Sequence, residues 1–213
     1  DLARPEGIAL VKELIATADV VVNNFRPGVM ERMGLGYADL RAIRPDVILL
    51  NLPGAHRTGP WARHPSTGNI LMAASGFNML TGFPGERPRG IGVAYPDFTS
   101  PHLLVATILA AVRQRATTGT GQELHLTQLS SLLALLGCEW MAYRASGVQP
   151  SRNANRSPNY CPHGVYPARP EPDTGLDAWV AIAVAGDAQW AALCRVIERP
   201  ALAADPRFAS HAA

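Results

Sequence analysis

The sequence predicts an α/β chain with a parallel sheet, followed by the start of a smaller α+β piece. Three observations predict it. Two short apolar runs, at residues 19–23 and 47–52, alternate with segments of helical spacing. A Ser-, Arg-, Asn- and Pro-rich stretch at residues 147–162 then breaks the composition, and beyond it two strand-like runs precede a helical one. Helix–strand alternation at these lengths implies parallel strands joined by crossover helices.

Pro5 and Glu6 suit a helix start, and Ile8, Val11, Leu14 and Ile15 recur at helical spacing up to Ala18. Val20, Val21 and Val22 form a β-branched run, the pattern of a parallel strand covered on both faces. Residues 24–28 form a turn, 29–33 a short helix and 37–44 another, closed by Pro45. After the second strand comes a loop at residues 53–66, then a helix at 67–75 stopped by Gly76 and a glycine-rich loop at 81–92. Ser100 and Pro101 read as an N-cap with proline at the first helical position, opening an apolar helix to about Arg115. Residues 122–126 alternate like a strand, and 127–145 read as one long, sparsely charged and therefore mostly buried helix. In the last part, residues 165–166 and 179–184 are strand-like, and Asp187 caps a helix to Glu198. The expected division is 1–146 for a large domain, 147–163 for a linker and 164–213 for the start of a small domain.

A chain of 213 residues is long enough to bury a sizeable core. Its formal net charge of +2 gives no field that would gather nucleic acid or an anionic membrane. With 47% hydrophobic and 17% charged residues, it folds rather than staying disordered. The 19 glycines and 18 prolines predict many loops. Lys12 is the one lysine, so any Schiff-base chemistry would rest on it. Cys138, Cys161 and Cys194 form no CxxC pair and are odd in number, which fits a reducing cytoplasm. No stretch has the length and apolarity of a membrane span.

The six histidines are scattered without metal-ligand spacing, so no metal site is expected. No GxSxG elbow, GxGxxG turn or phosphate-binding loop is present. Two features remain. Asp97 precedes the Ser100–Pro101 pair in a stretch with no basic residue between Arg89 and Arg113. It either helps to cap the helix or is a carboxylate kept ionised by the helix N-terminus and able to attack an activated acyl group. The segment from Asn24 to Gly28, with Arg32, is either a solvated turn or a phosphate site at the C-terminal end of a parallel strand.

Five segments, in order, resemble the family III CoA-transferases (CaiB/BaiF family). They are Asn24-Phe25-Arg26-Pro27-Gly28, Arg32-Met33-Gly34-Leu35-Gly36-Tyr37, Tyr95-Pro96-Asp97, Thr118-Gly119-Thr120-Gly121-Gln122, and Asn155-Arg156-Ser157-Pro158 continuing into Pro162-His163-Gly164-Val165-Tyr166-Pro167. The resemblance implies a Rossmann-like large domain, of which part is present, a small domain, and an interlocked homodimer of the full-length chain. It implies movement of CoA between carboxylic acids, with no tightly bound cofactor and with acyl-CoA and a carboxylic acid as substrates. It places Asp97 where the family's catalytic aspartate stands, and Asn24, Phe25, Arg26 and Arg32 where the family binds CoA. Glycines of the 76–92 loop would close the site against water and offer N–H groups to an oxyanion.

Departures from the family pattern are specific. The opening strand and first CoA-binding turn are missing before Asp1, and the return to the large domain is missing after Ala213, as expected of the central part of a longer chain. Asn23 stands where the family often has glutamate, and Pro101 where many members have a small residue. The alternatives are an acyl-CoA racemase of the same superfamily and an inactive CoA-binding fragment. For the racemase, the proton-transferring histidine's place falls on Thr67, with His64 three residues away.

Overall fold

The computed structural model describes residues 1–62, 64 and 66–208. Asp1–Thr81 and Pro88–Ser151 form one unit; Gly82–Arg87 and the chain from Arg152 onward form another. Residues 82–87 join the second unit because the Arg152 guanidinium donates to the carbonyls of Phe83 (3.4 Å) and Glu86 (2.8 Å).

The first unit opens with α1 (Pro5–Ile15), β1 (Val20–Asn23), α2 (Val29–Arg32), α3 (Tyr37–Ile43) and β2 (Ile48–Asn51). It continues with α4 (Gly68–Ala74), α5 (Phe77–Leu80), α6 (Tyr95–Thr118), β3 (Glu123–His125), α7 (Gln128–Leu135) and α8 (Gly137–Ser146). The three strands form a parallel sheet in the order β1-β2-β3, with Asn23 opposite Asn51 and Asn51 opposite His125. The central strand β2 is buried along its whole length, and each of Ile48, Leu49 and Leu50 contributes about 1.5–3 kcal/mol by leaving water. One core gathers Ile15, Met30, Leu35, Leu40, Val47 and Leu49; another joins Leu71, Met72 and Leu132, with Phe77, Tyr95 and Leu129 packed on it. Gly121 is required where the chain enters β3: a Cβ there would lie 2.0 Å from the Val47 carbonyl oxygen.

At the same end of the sheet, α6 is tied to the starts of β1 and β2. Arg115 donates to the Asp19 carboxylate (2.9 Å) and to the backbone carbonyls of Asp19 and Asp46 (3.2 and 3.4 Å). Arg44 donates to the carboxylates of the same two residues, Asp19 at 2.8 Å and Asp46 at 3.0 Å. The Arg44 hydrogen bond holds the Asp46 carboxyl below the usual carboxylate range, against burial. A folded-state pKa below the unfolded one stabilises fully above about pH 4, and this contribution is lost as the pH falls through the lowered value. Arg115→Met is therefore expected to lower the midpoint of urea denaturation at neutral pH, with a smaller difference from wild type in acid. Arg115→Lys should not restore it, because one ammonium cannot span three acceptors as the planar guanidinium does.

Three expectations are corrected. The long helix starts at Tyr95, not Ser100: Pro96 occupies its first turn, and Pro101 lies inside, unable to donate to the Asp97 carbonyl four residues back. Packing explains the early start, since the Tyr95 ring packs at a tilt against Phe77, centroids 5.3 Å apart, and Pro96 is buried. The stretch 127–145 is two helices, parted at Leu136–Gly137. Nor is it mostly buried: α8 has no buried residue, and Leu133, Leu135, Trp140 and Met141 are exposed, Met141 by 72%. Val105 and Leu109 of α6 are exposed too. Among the described residues no helix is long and apolar enough to cross a membrane.

In the second unit β4 (His163–Pro167) pairs antiparallel with β5 (Trp179–Ala183), and α9 (Asp187–Val196) follows. Gly186, rather than Asp187, is its N-cap, and Asp187 is the first helical residue.

Candidate active site

The carboxyl ends of three parallel strands lie side by side, and their last residues, with Glu123 from the start of the three-residue β3, form a polar network. Asn23 Nδ2 donates to Asn51 Oδ1 at 2.7 Å, and Asn51 Nδ2 donates to Glu123 Oε1 at 3.0 Å. His125 contacts both, with Nε2 3.4 Å from Glu123 Oε1 and Nδ1 3.4 Å from Asn51 Nδ2. Arg57, from the loop after β2, bridges Glu31 (2.7 Å) and Glu123 (3.4 Å). The Glu31 carboxyl lies below the usual range chiefly because its own backbone N–H bonds it; burial opposes this and Arg57 adds to it.

Beside this network, Phe25 and Arg26 line a notch with Asn23, Gly28, Glu31, Asn51, Pro53 and Arg57. At about 10 Å³ it is a groove between side chains rather than an enclosed pocket. Asn24 and Arg32 are exposed, and an Arg32 guanidinium nitrogen lies 3.2 Å from where a Cβ on Gly28 would stand.

The chain leaving β2 connects this groove to Asp97. Pro53 and Gly54 carbonyls accept from the backbone N–H groups of Gln128 (3.1 Å) and Leu129 (3.0 Å), satisfying donors that an N-terminal turn leaves free. Thr127 caps α7, accepting from the Ser130 N–H. Its hydroxyl donates to Ser130 Oγ at 2.8 Å, which in turn lies 3.0 Å from His56 Nε2. From that anchored turn Gln128 Nε2 donates to Asp97 Oδ1 at 2.7 Å.

Asp97 lies within the first turn of α6, not ahead of the helix, and is exposed. The N-cap, Ala94, receives no side-chain cap, so the Asp97 carboxylate engages Gln128 instead of the helix end. Its other oxygen faces α4: a Cβ on Gly68 would lie 3.1 Å from Asp97 Oδ2 and 2.4 Å from Ala94 Cβ. Ser100, expected as the cap, is fully buried, and its Oγ has no hydrogen-bond partner.

The structure thus brings Phe25 and Arg26 together with Asn51, Glu31 and Arg57. It also places Asp97 against Gln128, which sequence reasoning passed over. Two signals pointed there: residues just beyond a parallel strand occupy the ligand-binding edge of such sheets, and Thr127 begins an N-cap pattern. Among the described residues no group of three or more His, Cys, Asp or Glu is placed to hold a metal ion.

A parallel sheet with a polar network at its strand ends, next to a carboxylate at a helix start, defines an α/β chain of the ligand-binding kind. Comparison with known proteins narrows this. The profile of CoA-transferase family III matches residues 1–213, and the chain belongs to that family. It is 35% identical over 213 residues to succinyl-CoA--D-citramalate CoA-transferase of Chloroflexus aurantiacus, covering all of this chain and 52% of the relative. It is 36% identical over 201 residues to acetyl-CoA:oxalate CoA-transferase of Acetobacter aceti, covering 94% of this chain and 50% of the relative. A crystal structure of a CaiB/BaiF family protein from Brucella suis superposes with a TM-score of 0.85 at 34% identity, covering 99% of this chain and 54% of that one. The chain spans about half the length of the curated relatives it matches.

Proposed function

We propose that the full-length protein is a CoA-transferase that moves CoA from an acyl-CoA to a carboxylic acid, with Asp97 as the nucleophile. One observation carries this reading: Asp97 is an exposed carboxylate at the start of a 24-residue helix, oriented by a neutral amide rather than by a cation. Among the described residues no cation pairs with it, so there is no salt bridge to break and its electron pair is available.

In this reading an Asp97 oxygen attacks the thioester carbonyl; a C–O bond forms, the C–S bond breaks, and CoA leaves as thiolate. The thiolate attacks the Asp97 carbonyl of the mixed anhydride and releases the donor carboxylate, leaving an aspartyl-CoA thioester. The acceptor carboxylate attacks that thioester, giving a second anhydride and thiolate. Attack of the thiolate on the acceptor's acyl carbon yields the new acyl-CoA and restores Asp97. Gln128 keeps Oδ1 engaged, so that Oδ2 is the oxygen left to react.

CoA would run along the groove at Phe25 and Arg26, with Asn24 and Arg32 beside it, and reach Asp97 past the Pro53–Gly54 strip. Acyl-CoA is a substrate here, and no tightly bound cofactor enters. An interlocked homodimer belongs to the same reading, supported by the uncovered apolar faces of α6 and α8. So does a cytoplasmic location, supported by three free cysteines. A racemase would need a second proton-transferring group, and Thr67, the N-cap of α4, has no titratable side chain.

The test is direct. Full-length protein supplied with acetyl-CoA or succinyl-CoA and a panel of isotope-labelled acids should produce labelled acyl-CoA. Exchange of solvent deuterium into Cα of a 2-methylacyl-CoA, without transfer, would support the racemase instead. Arg26→Ala and Arg32→Ala should each raise KM for acyl-CoA, since a lost charge-assisted phosphate contact costs roughly 1.5–3 kcal/mol. Unchanged kinetics in both variants would remove these arginines from the CoA site.

A further inference from the structure

The loop after β2 sets a third arginine at the groove, and its surroundings differ from those of the other two. Among the described residues neither Arg26 nor Arg32 forms an ion pair, whereas Arg57 is held by two carboxylates, with Nη2 2.7 Å from Glu31 Oε1 and Nη1 3.4 Å from Glu123 Oε1. Both of its terminal nitrogens are therefore engaged already.

Glu31 lines the notch together with Arg26, Gly28 and Arg57, and it immediately precedes Arg32. A carboxylate in that position opposes an anionic ligand, because its charge repels the phosphates that the neighbouring arginines would attract. Glu31 is ionised at neutral pH: its own backbone N–H holds the carboxyl below the usual range, and Arg57 adds to this against burial. Among the described residues Arg57 is the one cation paired with it. The second carboxylate that Arg57 bonds leads back to the same turn. Glu123 Oε1 accepts from Asn51, Asn51 Oδ1 accepts from Asn23, and Asn23 Oδ1 accepts from the Phe25 N–H at 3.2 Å.

We infer that Arg57 is a positioning residue for CoA: it takes no phosphate itself but cancels the charge of Glu31, so that the phosphates can settle on Arg26 and Arg32. The inference rests on the CoA groove of the proposed function and adds what keeps that groove open to an anion. Side-chain exposures of 41% for Arg57 and 44% for Glu31 make the pair a minor contributor to stability, so variants of it are expected to fold.

The experiment titrates the full-length protein with CoA in a calorimeter, at low and at high salt. Arg57→Gln should raise Kd for CoA about tenfold at low salt and much less at high salt, where the unpaired Glu31 charge is screened. Adding Glu31→Gln to that variant should bring Kd back to within about threefold of wild type, and Glu31→Gln alone should bind CoA at least as tightly as wild type. In transfer assays the loss in Arg57→Gln should fall on KM for acetyl-CoA, while kcat/KM for acetyl-pantetheine, which carries no phosphate, should fall by less than about twofold. A double variant as weak as Arg57→Gln would make Arg57 a direct phosphate ligand and overturn the inference. Equal losses with acetyl-CoA and acetyl-pantetheine would make its role structural and overturn it too. Both results leave the transferase reading standing, and the binding cycle needs no turnover to decide between them. Absence of CoA binding by the wild type would overturn the CoA groove and the inference together.

Discussion

Asp97→Asn in the full-length protein is expected to abolish CoA transfer, by roughly three orders of magnitude or more, while leaving acyl-CoA binding close to wild type. The amide keeps the size of the side chain, and Gln128 Nε2 still finds an oxygen at the Oδ1 position, so the first turn of α6 is undisturbed. What is lost is the nucleophile, because an amide oxygen is too weak to open a thioester. Trapping supplies the positive side. Wild-type protein incubated with acyl-CoA and then hydroxylamine should carry a hydroxamate on the peptide containing Asp97, because an aspartyl anhydride or thioester is cleaved at the acyl carbon. The Asn variant should carry none. Full transfer by a non-deamidated Asn variant, or hydroxamate on another carboxylate, would falsify the assignment.

The parallel pairing was legible because apolar runs without alternation mark such strands, although only β2 is covered on both faces: in β1, Val22 is 47% exposed. Val20 to Val22 and Ile48 to Leu50 are apolar without alternation, and they are the paired β1 and β2. The start of α6 was not legible. Ser100 and Pro101 form a local start signal, but Pro96 satisfies the same rule five residues earlier, and only the packing of Tyr95 on Phe77, Leu71, Met72 and Leu132 decides between them. Sparse charge in residues 127–145 also misled: it measures how much apolar surface a helix carries, not whether anything in this chain covers it. At the site, single residues such as Asp97 and Arg26 could be picked out by type and context. Their partners could not, since Gln128 lies 31 residues from Asp97, and Glu123 66 residues from Arg57. Those pairings exist because β3 joins the sheet beside β2, bringing α7 against the chain that leaves β2.

The same dependence of chemistry on packing makes Gly68→Ala the second large expected effect. A methyl group at Gly68 would stand 2.4 Å from Ala94 Cβ, more than an ångström inside ordinary contact, and neither group has a torsion that can swing it away. It would also stand 3.1 Å from Asp97 Oδ2. The strain must be relieved by parting the start of α4 from the start of α6, and Asp97 moves with α6 while Gln128 stays pinned to Pro53 and Gly54. A displacement of about 1 Å at a reacting group can cost on the order of a hundredfold in rate. We therefore expect kcat to fall by about that factor, with KM for acyl-CoA little changed because neither Gly68 nor Ala94 lines the Phe25–Arg26 groove. Hydroxamate formation at Asp97 should slow in parallel, which a loss of folded protein alone would not produce at equal concentrations of native enzyme. Ala94→Gly removes the methyl that Gly68→Ala strikes, so the double variant should regain most of the lost kcat. If it regains none, the close approach of α4 and α6 is not what holds Asp97 in place.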